Sequence, residues 1–221
     1  MNKFYESQVE IMCDGQHFTN ATAASERFFR FYFSHCTQPN EDTLFSLLES
    51  CHSLSDRVQK DVDIDFHEIP EYVALKALRN YFHHQNEMIH RVNLIPMGDY
   101  PIVTDLMAMC LVPRDIVEAA IEGVSARYRD NARMACETVF HWYGQIVNIN
   151  PAVFNCSVKI FEALAERAVP VTGEAWSEFN ASYQFEEDEG HDHFVDGRIS
   201  TTAGDVDAVL NDIIRGANTA A

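Results

Sequence analysis

The sequence predicts an all-α fold, a helical bundle followed by an acidic C-terminal extension. Apolar residues recur at helical spacing in segment after segment, and strong helix-start signals stand at Asn40, Pro70 and Asn150–Pro151. A chain of 221 residues with 47% hydrophobic residues can also bury a sizeable core. The composition changes beyond Gly173, which divides the chain into a bundle over residues 18–170 and an extension over 171–221.

The elements follow in order. Asn20 can cap a first helix reaching about Cys36, and its Phe28, Phe29, Phe31, Tyr32 and Phe33 point in too many directions for a surface helix, so it is expected at the centre. Asn40, with Glu41 and Asp42 in the favourable first turn, opens a second helix carrying Leu44, Leu47, Leu48, Cys51, Leu54 and Val58 on one stripe. An acidic connector from Asp61 to Ile69 leads to Pro70, which suits the first turn of a third helix expected to persist to Pro96 and Gly98. The apolar stretch Ile102 to Val112 is closed by Pro113. A long helical region then reaches about Ile149, with Gly123 or Asp130–Asn131 as break points. Asn150–Pro151 starts a helix ended by Pro170, with Phe154, Val158, Phe161 and Ala165 on one face. Glu186 to Asp196 reads as an exposed acidic loop, and Val206, Val209, Leu210, Ile213 and Ile214 form a last amphipathic helix.

Composition excludes several classes. No segment approaches the roughly 20 apolar residues of a membrane span, and the N-terminus lacks a cationic stretch followed by an apolar run, so a cytoplasmic protein without membrane contact is expected. The six cysteines, at 13, 36, 51, 110, 136 and 156, show no zinc-knuckle or redox spacing and read as reduced thiols. With 34 acids against 16 Lys and Arg, the formal charge of −18 excludes a generally nucleic-acid-coating surface and confines any RNA contact to a local patch.

The third helix is the informative one. At about 100° per residue, Leu75, Ala77, Leu78, Tyr81, Phe82, Met88, Ile89 and Val92 fall on one side as a core stripe. Arg79, Asn80, His83, His84, Asn86, Glu87, His90 and Arg91 fall on the other. A solvent face is normally rich in Lys and Glu, but this one has no Lys and gathers guanidinium, imidazole and carboxamide groups, which suit phosphate binding, proton transfer and orientation.

Arg79-Asn80-Tyr81-Phe82-His83-His84 resembles the Arg-Asn-x-x-x-His motif of the HEPN superfamily, the helical ribonuclease domains of toxin–antitoxin, abortive-infection and CRISPR-associated proteins. The resemblance covers one helix directly. It implies a HEPN-like bundle and a metal-independent endoribonuclease needing no cofactor, of the kind used as a toxin or in phage defence. In that family's terms Arg79 corresponds to the catalytic arginine, His84 to the catalytic histidine and Asn80 to the positioning polar residue. His83 lies nearer Arg79 in angle and is the second candidate histidine, while Asn86, His90 and Arg91 extend the face toward substrate. The implied partners are RNA, a second copy of the chain in a homodimer, and a protein inhibitor.

Two other readings stay open. A family member without nuclease activity, serving as a binding module, has the same sequence features. A carboxylate–histidine metal bundle is suggested by Glu49-x-x-His52 and Glu87-x-x-His90, although these residues point away from the core stripes of their helices. Glu137 and His141, one helical turn apart, read as a satisfied internal hydrogen bond, and His191 and His193 as part of a hydrated loop. The acidic residues after Gly173 are further expected to fold over the cationic face of the third helix by charge complementarity.

Overall fold

The computed structural model describes residues 18–96, 100, 102–201 and 204–220; the side chains of 86–88 and 217–220 fall outside that description. Helix α1 (Thr19–Thr37) and helix α2 (Glu41–Val62) form an antiparallel pair. The start of α2 is the predicted one: the Asn40 side chain accepts from the Thr43 backbone N–H, and the Thr43 hydroxyl accepts from that of Asn40. After a 3₁₀ turn at Phe66–Glu68, helix α3 (Pro70–His84) begins with Pro70 in its first turn.

The motif helix ends earlier than its periodicity suggests. Helix α3 stops at His84 and the chain continues as a 3₁₀ segment (Asn86–Arg91), then strand β1 (Asn93–Pro96). The poorly helix-forming His83, His84 and Asn86 stand at the break, and the tighter turns still bring Ile89 and Val92 into the core.

The all-α expectation is corrected by two sheets. Strands β2 (Ile102–Val103) and β6 (Ser200–Thr201) form a short antiparallel pair. Strands β1, β3 (Ala108–Pro113), β4 (His141–Tyr143) and β5 (Ile146–Asn148) build an antiparallel sheet in the order β1-β3-β5-β4. The apolar run closing at Pro113 is therefore the strand β3. Its alternation divides two cores: Cys110 and Val112 face the helical bundle, while Met109 and Leu111 meet Leu210 and Ile213 of the last helix, α8 (Val206–Ala220). A continuous apolar run is what a strand covered on both faces requires.

The long helix expected after Pro113 is two helices, α4 (Arg114–Gly123) and α5 (Ala126–Val139), broken beside Gly123. It does not reach Ile149, because the chain turns through the β4–β5 hairpin at Gly144, whose φ is +53°. His141 thus lies on a strand rather than one helical turn from Glu137.

Helix α6 (Asn150–Glu166) follows, and the carboxylate of buried Glu71 on α3 receives Lys159 of α6 at 2.7 and 2.8 Å. The central helix is α3, which packs against α2, α4, α5 and α6; α1, expected at the centre, is flanked by α2 and by α7 (Glu174–Glu189). Part of the predicted acidic loop is the end of α7. This helix holds itself on the bundle with Trp176, Phe179 and Tyr183, spaced one face apart, against Phe29 and Phe161.

Two residues give direct stability tests. Gly197 adopts φ +66° and donates its N–H to Asp105 at 3.0 Å, and a Cβ there would clash with Pro151, 2.2 Å from its Cγ. Gly197→Ala should cost about 2–4 kcal/mol through positive-φ strain and overpacking, read as a lower urea midpoint with an unchanged slope. His35 is 3% exposed, contacts the Thr43 hydroxyl at 3.2 Å, and is lowered by burial from 6.5 to about 4. Between those two pH values the unfolded chain binds the extra proton, so stability rises with pH across the window and is lost on acidification through it. His35→Gln should flatten the fall in urea stability between pH 7 and pH 4 by about 3 kcal/mol.

Candidate functional site

The α2–α3 hairpin brings two polar rows together. Glu49, His52 and Asp56 stand at i, i+3 and i+7 on α2, and Lys76, Arg79 and His83 stand at the same spacing on α3. The helices pack through adjacent apolar stripes, so these polar flanks meet at the edge of their interface.

Glu49 is the hub. Its Oε2 accepts from Arg79 Nη2 at 2.6 Å, and its Oε1 lies 3.2 Å from His83 Nδ1. Arg79 Nη1 also donates to Asn80 Oδ1 at 3.2 Å, and Arg79 Nε is buried without a hydrogen-bond partner among the described residues. The Arg79 side chain is 15% exposed and that of His83 50%. Arginine is thus mostly enclosed at the base of the site while imidazole reaches solvent above it.

Neighbouring titratable groups feel both the burial and the Arg79 charge. His52 is held below its ordinary pKa first by burial and then by the Arg79 guanidinium, and its Nδ1 is buried without a partner among the described residues. Lys76 is likewise lowered, chiefly by burial and against the opposing pull of Asp56 and Asp65. Its Nζ reaches His67 Nε2 at 2.8 Å, and His67 Nδ1 in turn meets Asp65 at 2.8 Å. This edge gathers Arg79, Lys76 and three imidazoles among the carboxylates Glu49, Asp56 and Asp65.

The predicted residues distribute unevenly. Arg79, Asn80 and His83 come together; His84 is exposed at the last turn of α3, its ring edge-on to that of His83 at 5.4 Å. His90 and Arg91 leave the helix and do not share its face: His90 pairs with Glu41, and Arg91 makes a two-pronged pair with Asp115 at 2.9 and 3.2 Å. The side chains of Asn86 and Glu87 lie outside the described set. Glu49 and His52, read as candidate metal ligands, instead face Arg79, and among the described residues no group of three His, Cys, Asp or Glu gathers at metal-binding distance. The acid opposite Arg79 comes from α2, whereas the extension lies elsewhere, with α7 against α1 and α8 under the sheet.

Sequence reasoning missed the partnership of Glu49 with Arg79. The matched 49/52/56 and 76/79/83 rows carry its signal, provided the two helices are first set antiparallel. No known family model matches the chain, and neither a curated protein nor a solved structure resembles it significantly.

Proposed function

We propose that this chain is a metal-independent endoribonuclease of HEPN type, acting through Arg79 and an adjacent histidine, with RNA as substrate and a second copy of the chain completing the cleft. The reading is supported above all by the convergence of the Arg79 guanidinium and the His83 imidazole on a single carboxylate. A seat built from one guanidinium nitrogen and an imidazole suits a phosphate oxygen as well as a carboxylate. Glu49 fills it in the free chain, and a substrate phosphate competes for it.

In the proposed reaction the RNA 2′-oxygen attacks the adjacent phosphorus and the 5′-oxygen leaves, giving a 2′,3′-cyclic phosphate. One imidazole takes the proton of the 2′-hydroxyl, and a second group returns a proton to the leaving oxygen. Arg79 stabilises the charge that builds on the phosphorane oxygens. In this reading His83, 3.2 Å from Glu49 beside Arg79, makes one of these proton transfers, and the exposed His84 serves a second protomer.

A second reading, an RNA-binding or protein-binding module without catalysis, is favoured by the enclosure of Arg79 and its neutralisation by Glu49. One experiment separates the two. Wild type, Arg79→Ala, His83→Ala and His84→Ala are incubated with a labelled RNA in the presence of chelator. Cleavage by wild type that is lost in Arg79→Ala and in one histidine variant supports the enzyme. Binding without cleavage supports the module, and equal cleavage by all four proteins rejects the site.

A further inference from the structure

A cavity of about 510 Å³ lies apart from this site, and none of its lining residues belongs to α2 or α3. Helices α1, α6 and α7 wall it, together with the segment entering β3. Its volume falls within the range of small-molecule sites. The walls are largely aromatic and aliphatic, with Tyr32, Phe154, Phe179 and Leu106 among them, and Phe33 and Met107 at the mouth are 46% and 91% exposed.

Charge decides what such a cavity takes. Three carboxylates line it, Asp105, Glu178 and Glu186, and among the described residues neither Lys nor Arg does. Asp105 is committed to the backbone N–H groups of Asp196 and Gly197. Glu186 accepts from His193 through one oxygen at 2.9 Å and acts electrostatically on Tyr32, and the exposed Glu178 carboxylate has neither a hydrogen bond nor an ion pair among the described residues. Carboxylates beside aromatic faces favour an ammonium group, which gains from both. An anionic ligand would meet two carboxylates, with no Lys or Arg among the described lining residues to offset them.

We propose that this cavity is a binding site for a small apolar or aromatic amine, with its ring or chain against Phe154 and Phe179 and its ammonium toward Glu178 and Glu186. The site is independent of the one at Arg79. The probe is 1-naphthylmethylamine, compared with 1-naphthylmethanol and 1-naphthoate by calorimetry and by shifts in the protein NMR spectrum of the full chain.

The amine should bind about tenfold more tightly than the alcohol, and the carboxylate more weakly than either. Glu178→Gln combined with Glu186→Gln should abolish the preference for amine over alcohol while leaving alcohol binding in place. Ser182 lines the cavity from the exposed face of α7, so Ser182→Trp fills it with little risk to folding and should block both ligands. No binding of the amine, equal affinity for amine and carboxylate, or undiminished binding to folded Ser182→Trp would each overturn the proposal.

Discussion

The proposed RNA cleavage should fall by about 10²–10³-fold in Arg79→Ala, the loss expected when one preorganised donor to a developing oxyanion is removed. Arg79→Lys should recover little of it. A lysine ammonium is a point charge on a flexible stem, and it cannot hold the Glu49 carboxylate and Asn80 with separate nitrogens as Arg79 does at 2.6 and 3.2 Å. Folding is checked separately, because Arg79→Ala leaves the half-buried Glu49 short of a cation. Thermal unfolding of the variant should therefore shift modestly, while activity falls far more. A loss of activity that merely tracked a loss of folded protein would remove Arg79 from the chemistry. Glu49→Gln gives the complementary measurement: it keeps the side-chain shape, releases the charge competing for the seat, and should tighten RNA binding.

Phe29→Ala should be the most damaging single truncation of the fold, at about 3–5 kcal/mol. Phe29 is fully buried, and its ring packs edge-on against Phe28 at 5.1 Å, Trp176 at 4.9 Å, Phe179 at 5.1 Å and Phe161 at 6.4 Å. It is the point at which α1, α6 and α7 share one core, so its loss weakens the docking of α7 as well as leaving a cavity. Urea unfolding followed by tryptophan fluorescence reads both effects, since Trp176 sits in that cluster. A cost under about 1 kcal/mol would mean that the cluster collapses around the gap. The same packing changes what truncation after Gly173 would do: it strips Trp176, Phe179 and Tyr183 from the main core, and so is expected to destabilise the bundle rather than unmask the Arg79 site.

Much of the helical scaffold was legible locally. The Asn40 capping box, Pro70 in the first turn of α3, the start of α6 and the apolar face of α8 all appear where the residues place them. The core stripe of α3 was also legible, down to Leu75, Ala77, Leu78 and Phe82. The strands were not. Met109 to Val112 is an apolar run whose length and composition suit a buried helix segment as readily as a central strand, and only pairing with residues 93–96 and 146–148 distinguishes them. Helix α7 was partly hidden for a different reason, since its acidic residues mask the Trp176, Phe179, Tyr183 stripe.

At the candidate site, helical periodicity alone sets Arg79, Asn80 and His83 on one face, because 3.6 residues per turn fixes that relation wherever the helix forms. The sequence also sets the acidic character of the chain and the separation of the apolar stripes. Only the tertiary structure decided that Glu49 faces Arg79, that His90 and Arg91 turn to Glu41 and Asp115, and that a sheet closes the bundle. Those outcomes depend on contacts between residues 24 to 49 positions apart and on strand pairing, which hydrophobic packing of the whole chain sets and no local periodicity encodes.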